Sequence, residues 1–326
     1  MAVTESSAAP LEFRNVSKRY AGTDVAAIED LSFTVPAGEV CVLVGPSGCG
    51  KTTAMRLVNR MIAMTSGDIL IDEKSISGSS PADLRREIGY VIQQVGLFPH
   101  LTILNNITMV PRLLGWDKKR MAERGHELLD LIGLPQEMGK RYPNQLSGGQ
   151  RQRVGVARAL AADPPLMLMD EPFGAIDPIN RDRLQNEFLR LQARVKKTIV
   201  FVTHDIDEAI KMGDRIAILQ VGGKLAQYAP PAELLLHPSN AFVEDFVGAD
   251  RALKRLSLMK VSEVPRSALG NADGGPEIPV DTLLRTALSE LLGQGALHGR
   301  VLDEHGRAIG TLTVDTIARL AAGERA

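Results

Sequence analysis

Long apolar runs are missing from this sequence of 326 residues. The longest, such as Val40–Val44 and Leu166–Met169, have the length of a buried strand and fall well short of the ~18–20 residues that span a bilayer. Any membrane role is therefore expected to pass through a partner. Cysteine is nearly absent. Cys41 lies in an apolar run and Cys49 inside a glycine-rich loop, so no disulfide framework is expected and a reducing cytosol fits best. A charge excess is also lacking: 38 basic against 39 acidic residues leave a formal net charge of -1. That balance gives no global reason to expect nucleic acid or an anionic membrane as partner. Residues 1–10 have neither the basic start nor the apolar stretch of a signal peptide and read as a loose tail.

What is present is an ordinary globular composition, 44% hydrophobic and 24% charged, long enough for one large domain and a smaller one. Residues 11–35 alternate apolar and polar (Leu11, Phe13, Val16; Leu31, Phe33, Val35), which predicts antiparallel strands before a turn at Pro36-Ala37-Gly38. Val40–Val44 is continuously apolar, as a strand buried on both faces should be. A glycine loop follows, then a helix from Lys51 to about Met61. Residues 100–160 read as mostly helical. Further strands are expected at Leu166–Met169, Thr198–Val202 and Ile216–Leu219. Strands alternating with helices define an α/β fold with a largely parallel sheet, whose phosphate site lies beyond the carboxyl ends of the strands. The pattern changes near Gly248: a linker is expected over 249–279, then a small α/β module over 280–326 built on a helix (Leu283, Leu284, Ala287, Leu291) and two short strands.

Gly45-Pro46-Ser47-Gly48-Cys49-Gly50-Lys51-Thr52 fits G-x-x-x-x-G-K-[ST]. Glycines let successive N–H groups turn toward phosphate oxygens, and the helix start adds partial positive charge. Lys51 is expected on the β- and γ-phosphates and the Thr52 hydroxyl on Mg²⁺. A glycine-rich turn is the competing reading, yet the pattern between a buried strand and a helix favours the phosphate loop. Asp170 and Glu171 end an apolar strand. Asp170 is placed to reach Mg²⁺, and Glu171 to polarise the attacking water as general base, the alternative being a solvated acidic turn. His204 follows another strand and is expected to donate to the γ-phosphate. Gln93 follows Gly89–Ile92 and is suited to touch metal and water; Gln94 is the alternative register. Leu146-Ser147-Gly148-Gly149-Gln150 precedes a helix and offers the small residues a backbone needs to approach a triphosphate. Tyr20 is an aromatic available to stack on adenine, or an ordinary strand-end tyrosine.

With these motifs in this order the chain resembles the ATP-binding subunit of an ABC transporter, over residues 11 to about 248 with a helical subdomain at about 95–160. The resemblance implies a P-loop NTPase fold with antiparallel β and helical subdomains. It implies ATP held by Tyr20, by Gly45–Thr52, by Thr53 and, from a second copy in a head-to-tail dimer, by Ser147, Gly148, Gly149 and Gln150. It also implies Mg²⁺ near Thr52, Gln93 and Asp170, hydrolysis by Glu171, His204 and Gln93, and communication between the two sites through Asp177 in Gly174-Ala175-Ile176-Asp177. That last segment departs mildly from the usual Ser-Ala-Leu-Asp.

A narrower resemblance, carried by Gly89–His100, Gly174–Ile179 and His237–Gly248, points to importers of quaternary amines such as glycine betaine, carnitine or choline. It implies transmembrane permease subunits, indirectly an extracellular or periplasmic solute-binding protein, and a place on the cytoplasmic face of the membrane. Part of Val95–Ile107 (Leu97, Phe98, Leu101, Ile103) is expected to line the groove for the permease, or to pack internally. Residues Val301–Gly306 and Gly310–Asp315 are similar to one CBS motif, either ligand-binding or a dimerisation module. A soluble ABC-type ATPase in DNA repair or translation is disfavoured, because the chain has neither a long coiled coil between the motifs nor a second ATPase domain. An amino-acid importer remains an alternative, and a regulator without catalysis is disfavoured by Glu171 and His204.

Overall fold

The computed structural model describes residues 8–93, 96–174, 176–264 and 275–324. They form two units, residues 1–229 and 230–326.

The first unit opens with β1 (Leu11–Lys18) and β2 (Ile28–Val35), antiparallel as the alternation predicts. Their inward residues include Phe13 and Phe33, whose rings stack 4.7 Å apart. β3 (Val40–Val44) is buried throughout. It feeds the glycine loop and α1 (Lys51–Val58), one turn shorter than expected because Asn59 and Arg60 leave helical geometry. β4 (Ser66–Ile71) and β5 (Lys74–Ser75) complete a four-stranded sheet in the order β2-β1-β4-β5. Sequence reading misses both, since Ser66-Gly67-Asp68 is polar and only Ile69 and Leu70 are buried.

Ser80 caps α2 (Pro81–Glu87), with proline at the first helical position where its missing N–H is harmless. β6 (Ile88–Val91) returns to the central sheet. The helical stretch follows: α3 (Ile103–Ile107), α4 (Met109–Leu113), α5 (Lys118–Leu131) and α6 (Gly148–Leu160). Thr102, Asp117 and Ser147 each accept a backbone N–H at a helix start, the role that favours such residues there. Then come β7 (Leu166–Asp170), α7 (Pro178–Val195), β8 (Thr198–Val202), α8 (Ile206–Met212), β9 (Arg215–Gln220) and β10 (Lys224–Ala229). The central sheet runs β10-β9-β3-β8-β7-β6. Every pair in it is parallel except β10–β9. One continuous core joins the two sheets, from Leu11 and Phe13 to Leu43, Met55, Leu168 and Val200. Each fully buried side chain of this size contributes about 1.5–3 kcal/mol over its exposed state.

The second unit holds α9 (Pro231–Leu236), α10 (Ala241–Val247), α11 (Arg251–Leu256), β11 (Glu277–Pro279), α12 (Leu284–Gly293), β12 (His298–Leu302), β13 (Ala308–Thr313) and α13 (Val314–Ala322). β11 pairs parallel with β12, and β12 antiparallel with β13. The hairpin turn is held by Asp303, which accepts from the amides of His305 and Arg307, with Gly306 in the left-handed region.

Three expectations change. The division falls at Ala229/Pro230 rather than near Gly248. Much of 249–279 is structured rather than linker, because Leu256, Val261, Val264 and Ile278 are all buried in the second core; residues 265–274 of that stretch lie outside the described residues. Ala9 is buried and its amide donates to the Pro165 carbonyl at 3.2 Å, so the tail is tied down by this point. Leu283 stands just ahead of α12 and is exposed, while Leu284, Ala287 and Leu291 are buried as the spacing predicts.

Candidate functional site

Four adjacent parallel strands deliver the site from their carboxyl ends. β3 leads into Gly45–Gly50, β8 into Thr203-His204, β7 ends at Asp170 before Glu171, and β6 precedes Gln93. Residues 33 and 78 positions apart in the chain thereby meet. Gln93 Nε2 donates to Glu171 Oε2 at 3.0 Å. On the other side His204 Nδ1 lies 3.1 Å from Glu171 Oε1. The amide bond uses only the nitrogen of Gln93; its carbonyl oxygen has no partner among the described residues. Gln94, the other register, lies outside the described residues, as does Ala175.

Glu171 adopts φ 44, a left-handed conformation that costs a non-glycine residue about 1–2 kcal/mol. Two backbone bonds hold it there, Glu171 N to Val202 O at 3.0 Å and Gly174 N to Glu171 O at 3.1 Å. The strain turns the carboxylate out of the strand line toward Gln93 and His204. Asp170 stays in the strand. Burial pushes its carboxyl above the usual range and Glu171 adds to the push, while Arg56 and Lys51 pull it back down. Arg56, on α1 four residues past Thr52, was not singled out by sequence. The available signal was helical spacing alone.

The glycine loop is shaped as a cradle. Gly45, Gly48 and Gly50 all have positive φ. A Cβ on Gly45 collides with the Leu219 carbonyl, and one on Gly50 with the Ala27 carbonyl. Lys51 is buried, and its Nζ donates to Gly45 O at 2.7 Å and Pro46 O at 3.1 Å. Its ammonium thus sits on the loop's own oxygens. Thr52 and Thr53 begin α1 directly behind it, and Cys49 is buried inside the loop. Among the described residues no group of three or more His, Cys, Asp and Glu side chains converges as a metal site. The donor set Thr52, Gln93 and Asp170 is all oxygen, which suits Mg²⁺ with retained water and phosphate ligands rather than a dedicated protein cage.

Tyr20 is exposed, with the Lys18 ammonium 5.0 Å from its ring centroid. Its loop borders the cradle, since Ala27, which bonds Lys18 O at 2.8 Å, is the residue packed over Gly50. Ser147 and Gln150 form a reciprocal capping box: Gln150 N donates to Ser147 Oγ at 3.3 Å and Ser147 N to Gln150 Oε1 at 2.9 Å. Ser147 and Gly148 are exposed. The side-chain bonds of Ser147 and Gln150 stay within the motif or reach Met138. Asp177 caps α7 through Asn180. The structure therefore gathers Gln93, Glu171, His204 and Asp170 with the loop, and leaves Ser147 and Gly148 exposed with Gly149 and Gln150 half-buried behind them.

A groove lies beside the strand ends, lined by Tyr90, Ile92, Phe98, Met109, Val110 and Arg158 among others. Buried Asn106 clamps its loop, accepting from Phe98 N and donating to the Phe98, Leu101 and Thr102 carbonyls. The Phe98 ring is left 41% exposed, whereas Ile103 is fully buried, so that residue takes the internal alternative. In the second unit, Thr313 caps α13 and Asp315 pairs with Arg319 at 3.1 Å, so both are engaged locally.

A phosphate cradle, a strand-end carboxylate pair and an outward-facing second motif define an ATP-binding cassette, and the chain matches the family described as ABC transporter over residues 28–174. It is 49% identical to the osmoprotectant import ATP-binding protein OsmV of Salmonella typhimurium over 94% of this chain and 77% of that protein. It is 54% identical to the carnitine transport ATP-binding protein OpuCA of Listeria monocytogenes over 75% of this chain and 61% of that protein. To the glycine betaine uptake system ATP-binding protein YehX of Escherichia coli it is 41% identical over 93% and 97%. The chain belongs to the ATP-binding subunits of the ABC importer family for glycine betaine, carnitine and choline. Among solved structures it is similar to an ATP-binding cassette described as a dimer in a post-hydrolysis state bound to ADP and Pi (TM-score 0.59, 33% identity, 68% of this chain and 98% of that one). Among the described residues no helix is long and apolar enough to cross a membrane.

Proposed function

We propose that this chain hydrolyses ATP to drive import of a quaternary-amine osmoprotectant such as glycine betaine. The observation that carries the hydrolytic half is Glu171, strained out of its strand and bonded on both oxygens by Gln93 and His204. The names of the relatives support the substrate half.

ATP bound with Mg²⁺ supplies the phosphoryl group and the metal's positive charge. The protein does the rest. The loop amides bind and orient the triphosphate, and Lys51 exchanges loop carbonyls for phosphate oxygens. Thr52, Asp170 and the carbonyl oxygen of Gln93 are the oxygen donors that would hold Mg²⁺, whose charge would offset that of the phosphates. Glu171 accepts the proton of the attacking water on a carboxylate lone pair that Gln93 and His204 leave open. His204 offers a ring N–H to the γ-phosphate. The Ser147–Gln150 edge, exposed at Ser147 and Gly148, covers the nucleotide of a second copy, and two copies enclose two nucleotides head to tail. Closing and reopening of that pair moves transmembrane permease subunits docked at the Phe98 groove, on the cytoplasmic face of the membrane. A solute-binding protein delivers the osmoprotectant from the other side. Residues 280–326 are a CBS-like module that pairs or regulates the subunits.

Reconstitution with its permease in vesicles tests the reading. ATP-dependent uptake of labelled glycine betaine is expected, and is lost in Glu171→Gln. Uptake of an amino acid but of no quaternary amine removes the substrate half. Hydrolysis that never depends on a membrane partner removes the transport half.

A further inference from the structure

A cavity of about 420 Å³ lies between α6, α7 and the end of α5, and it shares no lining residue with the glycine loop or the Phe98 groove. Its floor is apolar, with Ile132, Val156, Leu184, Phe188 and Leu191 along it. Beside the apolar stripe of α7 runs a charged one, Arg183, Glu187, Arg190 and Arg194, at helical spacing. With Arg153 of α6, four arginines line the cavity against one carboxylate. That carboxylate is already shared. Arg183 Nε donates to Glu187 Oε1 at 3.1 Å, and Arg153 Nε stands 3.3 Å from Oε2 without the alignment of a hydrogen bond. Arg190 and Arg194 have no ion-pair partner among the described residues. Six buried side-chain polar atoms lack a hydrogen bond among the described residues. Three of them, Gln152 Nε2, Arg153 Nε and Glu187 Oε2, belong to residues that line this one cavity. Gln152 is only 4% exposed. A donor buried that deeply opposes folding unless an acceptor meets it.

We infer that this cavity binds an amphipathic organic anion, a carboxylate carried on an alkyl chain. The two orphaned donors, Gln152 Nε2 and Arg153 Nε, call for acceptor oxygens, and the excess of arginine calls for negative charge. A carboxylate supplies both on one planar group. The apolar floor takes the chain. A quaternary ammonium group is repelled by the same arginines, so the occupant differs in charge from the solutes that the relatives' names describe. An anion held here touches both the helix that Ser147 caps and the helix that Asp177 caps.

The test is titration calorimetry of the purified full chain with decanoate below its micelle concentration. One decanoate per chain is expected to bind and to raise the thermal midpoint. Acetate has the head without the chain, and decyltrimethylammonium the chain without the negative head; neither is expected to bind. Gln152→Leu is expected to weaken decanoate about tenfold. Arg190→Glu combined with Arg194→Glu is expected to weaken it by about as much at low salt and by less at high salt. Both arginines are exposed, so this pair keeps the inference testable if Gln152→Leu folds poorly, and its unchanged nucleotide binding checks the fold. Absence of decanoate binding overturns the inference. So does equal binding of decyltrimethylammonium, which needs only an apolar surface, or an unchanged affinity in both variants, which moves the site elsewhere.

Discussion

Lys51 Nζ lies 2.7 Å from the carbonyl oxygen of Gly45, so the first and seventh residues of the glycine loop are bonded across it. The ammonium both closes the loop and waits on it. Lys51→Ala removes that donor and leaves a cradle without its cation. Hydrolysis is expected to fall at least about 10²-fold, the size of effect seen when one preorganised donor to a developing charge is lost. Phosphate release and fluorescent-nucleotide titration measure it. A variant that still hydrolyses ATP at the parental rate removes the assignment of the loop.

Glu171→Gln keeps the shape of the side chain but withdraws the base and one of its two accepting oxygens. Turnover is expected to slow by about 10²–10⁴ while ATP still binds, leaving a nucleotide-loaded pair that size-exclusion chromatography resolves from the single chain. Parental turnover in this variant contradicts the role given to Glu171.

Asp170 links activity to stability in opposite directions. Its carboxyl is held above the usual range, first by burial and then by Glu171. A carboxyl raised in the folded state stabilises the fold below its ordinary pKa and loses that contribution as pH rises through the raised value. At neutral pH the ionised group therefore works against folding. Asp170→Asn is expected to show a higher thermal midpoint at pH 7, a difference that narrows toward pH 4, together with loss of metal-dependent hydrolysis. A lower midpoint at pH 7 contradicts the sign.

Phe98 is presented rather than packed, because Asn106 holds the backbone around it from beneath. Phe98→Asp is expected to leave nucleotide binding by the isolated chain unchanged and to abolish uptake in vesicles that contain the permease. Normal uptake in that variant moves the docking surface elsewhere.

Sequence alone was enough for several elements whose apolar pattern is local. Val40–Val44 reads as a strand because both its faces are buried, and α12 reads as a helix because Leu284, Ala287 and Leu291 share one side. The glycine loop was legible because its conformation is demanded by residues that follow one another. β4 was not legible, since only two of its residues are buried. Neither was the packing of residues 251–263, where apolar side chains are spaced too irregularly to mark a helix face.

Tertiary structure decided the rest. That Gln93 and His204 meet on opposite oxygens of Glu171 follows from the order β3-β8-β7-β6, which sets side by side strands that are far apart in the chain. The left-handed turn at Glu171 also depends on a partner distant in sequence, the carbonyl of Val202. Short motifs carry chemistry because covalent neighbours shape them. A carboxylate between an amide and an imidazole exists only once hydrogen bonding between strands has chosen which ends lie together.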